Sequence, residues 1–127
     1  MKIEKFEDLE IWNKAIDLYV EIYALSEKGS LSKDFSAKDQ LKRATLSISN
    51  NIAEGFEYDN NKEFIRFLKY SKGSTGEVRS MLHAFLRTNQ ITADEHEKLV
   101  PIVIQISKNI KGFMKYLSSY KSPNKQN

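Results

Sequence analysis

Three lysines near the end of the sequence have a spacing suited to binding a row of negative charges. Lys108, Lys111 and Lys115 are three and four residues apart, so on a helix they share one side. Such a row can follow a phosphate backbone through charge alone, with an affinity that falls as salt rises. Four more basic residues complete the candidate nucleic-acid surface: Arg66, Lys69, Lys42 and Arg43. The alternative interpretation is a set of solvated helix faces.

Residue patterns that carry catalysis or hold a metal do not occur in the sequence. His83 and His96 are predicted on different helices, and there is no H-x-x-x-H or E-x-x-H pair. Phosphate loops and the G-x-S-x-G nucleophile motif are also missing. With no cysteine, the chain has neither disulfides nor thiolate metal ligands. We therefore predict no catalytic residue, metal, cofactor or small-molecule substrate, and no enzyme.

The composition predicts one soluble helical domain. Glycine and proline are scarce, at five and two, which favours long helices over a sheet rich in turns. The acidic start does not match a signal peptide, and no run approaches the roughly 18 apolar residues of a membrane span. We expect a cytoplasmic protein with no membrane partner. Beyond Glu97 there are six lysines and no acid, so this end suits either phosphate contact or solubility.

Two amphipathic segments form the first half of the chain. The first helix is predicted from about Asp8 to Lys28. Its predicted buried row is Leu9, Trp12, Ile16, Tyr19, Val20 and Tyr23. The second helix is predicted to begin with a capping box at Ser36 and to end at Gly55. Its predicted inner stripe is Leu41, Ala44, Thr45, Ile48 and Ile52.

Two further segments form the second half. Asn60 or Asn61 is predicted to cap the third helix, whose inner stripe is Phe64, Leu68, Ser71, Thr75, Val78, Leu82 and Phe85. A capping box of Thr92 and Glu95 opens the fourth helix, in which Pro101 is expected to cause a kink. Its inner stripe is Leu99, Ile102, Val103, Ile106, Ile110, Phe113 and Leu117.

The stretch KGSTG, residues 72–76, raises the question of whether the third helix is continuous. Each glycine in a helix interior costs about 1 kcal/mol relative to alanine. The apolar rhythm nevertheless passes through the stretch without losing phase, which favours one long helix. The rival interpretation is a new helix that begins with a capping box at Ser74 to Glu77.

These segments predict an all-α, antiparallel up-down-up-down four-helix bundle over residues 1–119, with a disordered polar tail at 120–127. Two surfaces favour self-association, because each leaves backbone or apolar side chains for a neighbouring copy to cover. One is a second apolar row on the first helix: Ile11, Leu18 and Ile22. The other is a strip of small residues on the third helix: Gly73, Gly76, Ser80 and Ala84.

Four sequence blocks together resemble a known family. They are FEDLEIWNKA at 6–15, QLKRATLSISNNIAEG at 40–55, KEFIRFL at 62–68 and KGSTGE at 72–77. In this order they resemble the four-helix-bundle family of 23S ribosomal RNA intervening-sequence proteins, over about residues 6–118. The chain departs from the family pattern at Ser49, where proline is common, and at Gly76, where a larger residue is more frequent.

The resemblance implies a ring-shaped homopentamer of antiparallel bundles. The related accessory protein of diversity-generating retroelements is a basic pentameric bundle that binds nucleic acid and a reverse transcriptase. RNA or DNA is therefore an expected partner, and a scaffold that docks a partner protein is the alternative function. Within the SISNNIAEG block, Asn51 and Glu54 are expected to hydrogen-bond across a helix or subunit contact, and Gly55 to release the chain into the turn.

Overall fold

Four α-helices make up most of the described chain. The computed structural model describes residues 3–119, so the predicted disordered tail at 120–127 lies outside the described residues. The helices are α1 (Glu10–Ser26), α2 (Phe35–Glu57), α3 (Asn61–Arg87) and α4 (Ala93–Ser119). Short 3-10 helices at Phe6–Asp8 and Ser30–Lys33 precede α1 and α2. Residues 3–119 contain no strand, and no helix among them combines the length and apolar character that a membrane span requires.

The helices pack around the bundle in chain order, α1 against α2 and α4, and α3 against α2 and α4. Phe64 near the start of α3 packs edge-on against Phe113 near the end of α4, with ring centroids 5.5 Å apart. At the other end of the same pair, His83 of α3 lies 2.9 Å from His96 of α4. These two contacts, one at each end, show that α4 runs back along α3.

The inner stripes predicted for α2 and α3 are buried at every position. In α4 five of the predicted seven positions are buried, while Ile102 and Phe113 pack against the core from its edge. The periodicity succeeds here because each helix has a single apolar face, and burying that face is the main gain on folding.

The prediction for α1 was wrong about which side faces the core. Ile11, Leu18 and Ile22, expected at an interface between copies, are buried within a single chain. On the row expected to be buried, Leu9 is buried, but Val20 is 61% exposed and Tyr23 is 50% exposed. Both rows have helical spacing, so periodicity alone does not choose between them. The aliphatic row fits the tight interior, whereas the aromatic-rich row lies at the edge.

Helix α2 begins earlier than predicted. Asp34, and not Ser36, is the N-cap, because its Oδ1 accepts a hydrogen bond from the Ala37 amide at 3.1 Å. The N-caps of α3 and α4 are as predicted. Asn60 accepts a hydrogen bond from the Glu63 amide at 3.0 Å, and Thr92 and Glu95 exchange both bonds of a capping box.

Helix α3 runs without a break through KGSTG, which confirms the continuous helix over the rival capping box. Ser74 does not cap a new helix, since its hydroxyl donates to Ser47 Oγ of α2 at 2.9 Å. Gly73 and Gly76 are exposed, as are Ser80 and Ala84. A Cβ added at either glycine would meet no atom within 4 Å. Helix α4 likewise continues through Pro101.

Candidate nucleic-acid interface

A groove of about 230 Å³ runs between α3 and α4. Its α3 wall carries Lys72 and Arg79, which are seven residues apart and therefore share one side of the helix. Lys108 faces them from α4. The remaining lining residues are Thr75, Gly76, Val103, Ile104 and Ser107. Since Gly76 has no side chain, its backbone forms an open part of the wall.

The three cations of this groove have no acidic partner. The lining includes no Asp or Glu, and within residues 3–119 none of the three makes an ion pair. Like charges that converge on one concave surface repel each other, and an anion placed between them removes that repulsion. The groove is therefore suited to a phosphate group.

Further basic residues continue the groove along both helices. Lys69 lies one turn before Lys72 on α3, while Lys111 and Lys115 follow Lys108 on α4. All three are exposed and, in the described part of the chain, take part in no ion pair. The term basic groove is used below for this set of six: Lys69, Lys72, Arg79, Lys108, Lys111 and Lys115.

The structure does not bring the other predicted basic residues into this set. Lys42 and Arg43 lie on α2, which packs against α1 and α3. Lys42 contacts Glu27 at 3.3 Å and lies over the Tyr23 ring at 4.4 Å. Arg43 pairs with Asp39 of its own helix at 2.8 Å. The single basic surface expected from sequence is therefore divided between two sides of the bundle.

Arg66 belongs to an aromatic cluster and not to the groove. Its Nη2 lies 2.7 Å from Glu63 Oε1, and its Nη1 donates to Tyr70 Oη at 3.0 Å. These bonds raise the pKa of the guanidinium above its ordinary value. The same group lies over the Phe67 ring at 4.7 Å. Tyr58 stacks on Phe67, with centroids 5.2 Å apart and an interplanar angle of 17°.

The SISNNIAEG block holds α2 against α3. Asn51 donates to Ser47 of its own helix, and Ser47 in turn accepts from Ser74 of α3. Within one chain Asn51 therefore does not bond across the helix contact, because Ser47 makes that bond. A bond from Asn51 across a subunit contact stays a prediction. Glu54 is exposed and, within residues 3–119, makes no hydrogen bond or ion pair. It does not join a contact between helices of one chain.

Gly55 allows a close approach and does not end its helix. Helix α2 continues to Glu57, and Gly55 is buried. A Cβ added there would lie 2.7 Å from Phe67 Cβ and 3.0 Å from Phe64 Cδ1. The residue that turns the chain is instead Asp59, which has a positive φ of 53°. The prediction failed because glycine is favoured both where a helix ends and where two helices approach closely. Only the position of the neighbouring helix shows which of these two roles Gly55 has.

Two groupings of residues in the structure were missed at the sequence level. Lys72 and Arg79 were not selected, although their seven-residue spacing on the flank of the α3 stripe could have identified them. The other group is the pair of His83 and His96, whose Nδ1 and Nε2 atoms lie 2.9 Å apart. No sequence signal places these histidines opposite each other, because their contact depends on the pairing of α3 with α4.

An exposed apolar surface follows the outer edge of α1 and α2. Trp12, Ile16 and Tyr19 are half-buried on α1, next to the more exposed Val20 and Tyr23. On α2, Leu46 lies one turn after Lys42, whose ammonium covers Tyr23, and Phe35 is exposed at the start of the helix. These seven residues are called the α1–α2 apolar surface below. Exposed apolar side chains grouped on two packed helices make this surface a candidate interaction site.

The architecture places the chain in the class of all-α four-helix bundles. Its sequence matches the family described as 23S rRNA-intervening sequence protein over residues 7–112, and the chain belongs to this family. This confirms the resemblance carried by the four sequence blocks.

Solved structures with the same fold include a protein of a related description. It is a protein with unknown function from the S23 ribosomal protein family of Bacteroides thetaiotaomicron, with 24% sequence identity and a TM-score of 0.75. The match covers 83% of this chain and 98% of that one. At this identity the likeness establishes the fold alone. A comparison with curated proteins finds no match.

Proposed function

We propose that this protein is a non-enzymatic, homo-oligomeric bundle that binds RNA or DNA in the cytoplasm through the basic groove. The observation that carries the proposal is the convergence of Lys72, Arg79 and Lys108 on one groove without an acidic residue in its lining. A solvated row of lysines would lie along one helix. Here the three cations come from two helices and line the same groove.

Phosphate binding in the groove has a measurable signature. Each phosphate that the protein neutralises adds about 0.9 to the slope of log affinity against log salt for duplex DNA, and about 0.7 for a single strand. Replacing Lys72, Arg79 and Lys108 together by glutamine removes three candidate contacts. We expect the slope to fall by roughly 2 to 3 and the affinity at low salt to drop for every nucleic-acid sequence alike.

The matched control is Lys98→Gln, which removes a lysine of α4 that pairs with Glu21 outside the groove. Fluorescence anisotropy across a salt series should give this variant the affinity and slope of the wild type. An affinity that does not change between low and moderate salt would reject the electrostatic mechanism. Equal losses in Lys98→Gln and the triple variant would reject the groove as its location.

Self-association supports this function, because each copy repeats the groove and so adds contacts along one nucleic acid. The α1–α2 apolar surface is the proposed contact, with a second copy of the chain as its partner. This surface takes the role predicted from sequence for Ile11, Leu18 and Ile22, which are buried in the core and do not reach a second copy. The family resemblance makes five copies the expected number. The small-residue strip at Gly73, Gly76, Ser80 and Ala84 is a second candidate contact.

The alternative function uses the same apolar surface to dock a different protein. Its exposed aromatic and aliphatic side chains suit a protein partner as well as a second copy. Light scattering separates the two, since a scaffold of this kind would be a monomer at micromolar concentration. Capture of a partner that survives nuclease treatment, without binding of any nucleic acid by the purified protein, would favour the scaffold.

A further inference from the structure

An aromatic cluster on the α2 side of α3, adjacent to Lys69 of the basic groove, carries a second inference, which rests on the proposed nucleic-acid binding. The cluster consists of Tyr58 at the end of α2 and Phe67 and Tyr70 on α3. Tyr58 is 51% exposed and Tyr70 is 49% exposed. Both rings also contact Phe67, which holds them in place while part of each ring stays accessible to solvent.

The orientation of each tyrosine is set by contacts on one side. Phe67 covers one face of Tyr58 in a near-parallel stack with centroids 5.2 Å apart, so the exposed half of Tyr58 includes its other face. Phe67 meets Tyr70 edge-on at 5.6 Å, and the Arg66 guanidinium donates to the Tyr70 hydroxyl at 3.0 Å. Arg66 is itself held by Glu63. The exposed aromatic surface is therefore ordered before any ligand arrives.

Such a surface has a defined chemistry next to a phosphate-binding groove. Bases stack on exposed aromatic faces whatever their sequence, while cations follow the backbone. Tyr70 lies on the side of α3 that meets α2, about 160° around the helix axis from Lys72, and Lys69 projects between these two residues. A strand that leaves the groove over Lys69 therefore reaches the cluster across the outer face of α3. In a duplex the base faces are already stacked on each other and do not reach a protein ring.

We infer that this protein takes single-stranded nucleic acid, with its phosphates in the basic groove and unpaired bases stacked on Tyr58 and Tyr70. The cluster then selects single strands over duplexes of the same charge. Phe67 and Arg66 act as positioning residues, because they hold the two rings and do not themselves face the strand.

The test compares three fluorescent DNA probes with the same number of phosphates: oligodeoxythymidine, an abasic strand of equal length and a dA·dT duplex of half that length. For the wild-type protein we expect the thymidine strand to bind at least about tenfold tighter than the abasic strand, since stacking is worth roughly 1–3 kcal/mol per base. Tyr58→Leu/Tyr70→Leu should lower thymidine-strand affinity to the abasic level. Abasic-strand affinity and the salt slope should stay unchanged, because the lysines remain.

Tyr23→Leu is the matched control. Tyr23 is also half-exposed and also has a cation over its ring, but it lies at the opposite end of the bundle. Because Tyr23 also belongs to the α1–α2 apolar surface, the control is read as a ratio of affinities: Tyr23→Leu should keep the wild-type preference for the thymidine strand over the abasic strand. Tyr58→Phe/Tyr70→Phe should keep the preference for the thymidine strand, since it keeps both rings. A 2-aminopurine base placed in the strand should lose fluorescence on binding the wild type and not the leucine variant.

The results that would overturn the stacking inference differ from the result that would reject nucleic-acid binding itself. Equal affinity for the thymidine and abasic strands would overturn the stacking inference and leave groove binding intact. Duplex affinity equal to or above that of the thymidine strand would do the same. Absence of binding to all three probes at low salt would reject the proposed function and this inference together. A base preference that persists in the leucine variant would place the stacking surface elsewhere.

Discussion

Because Gly55 has no Cβ, α2 and α3 pack more closely at this position than any other residue would allow. The position is buried in a helix, and the space that a Cβ would need is already occupied by Phe67 and Phe64 of α3. The nearest of these atoms is Phe67 Cβ, which is fixed to the backbone and does not yield by rotation. The glycine is therefore part of the packing between α2 and α3.

Gly55→Ala should destabilise the protein by about 1–3 kcal/mol, as overpacking does, despite the gain in helix propensity. Gly73→Ala is the control, because a Cβ there meets nothing within 4 Å in one chain and should stabilise α3 by up to about 1 kcal/mol. Urea unfolding monitored by circular dichroism measures both. Similar stability changes for the two variants would contradict the close contact at Gly55.

At the scale of the element, Asp34 determines where α2 begins and connects that end to the loop between α3 and α4. Its Oδ1 caps the Ala37 amide, and its Oδ2 accepts a hydrogen bond from Gln90 Nε2 at 2.9 Å. The Ala37 amide, and next the Gln90 amide, hold the pKa of the Asp34 carboxyl below its ordinary value of 3.8. The charged form is thus favoured in the folded protein.

The sign of the pH dependence follows from this lowered pKa. Asp34 contributes stability above its unfolded pKa of 3.8, and the contribution is lost as pH falls through the still lower folded value. In Asp34→Asn the cap oxygen remains but does not titrate. We expect the wild type to be the more stable at about pH 6, and its advantage to shrink towards about pH 3. Thermal unfolding at both pH values measures this, and a constant difference would contradict the role of the carboxylate.

At the scale of the whole molecule, one chain leaves the α1–α2 apolar surface uncovered. Val20 is the most exposed of its α1 residues, so a charge placed there disturbs little within the chain. Val20→Glu should reduce the mass measured by light scattering at micromolar concentration, because an interface core rejects an unpaired charge. Gln105→Glu adds the same charge on exposed α4 and should leave the mass unchanged. A Val20→Glu protein that assembles as the wild type does would exclude this surface.

The fold was largely predictable, while the site was predictable only in part. The stripes of α2, α3 and α4 are strongly periodic, and the caps at Asn60 and Thr92 use residues within one turn of the helix start. Lys69, Lys108, Lys111 and Lys115 were selected from the same kind of local spacing. Lys72 and Arg79 were not, because their importance depends on Lys108 across the groove.

The sequence by itself determined what depends on neighbours three or four residues away: four helices, most of their buried faces and the family. Only the tertiary structure decided which of two apolar rows of α1 turns inward, why Gly55 is bare, and which cations meet across α3 and α4. These outcomes are set by residues distant in sequence, since burial and charge act through space once the helices pack. Helical spacing records one helix at a time and carries no information about the side chains that face it.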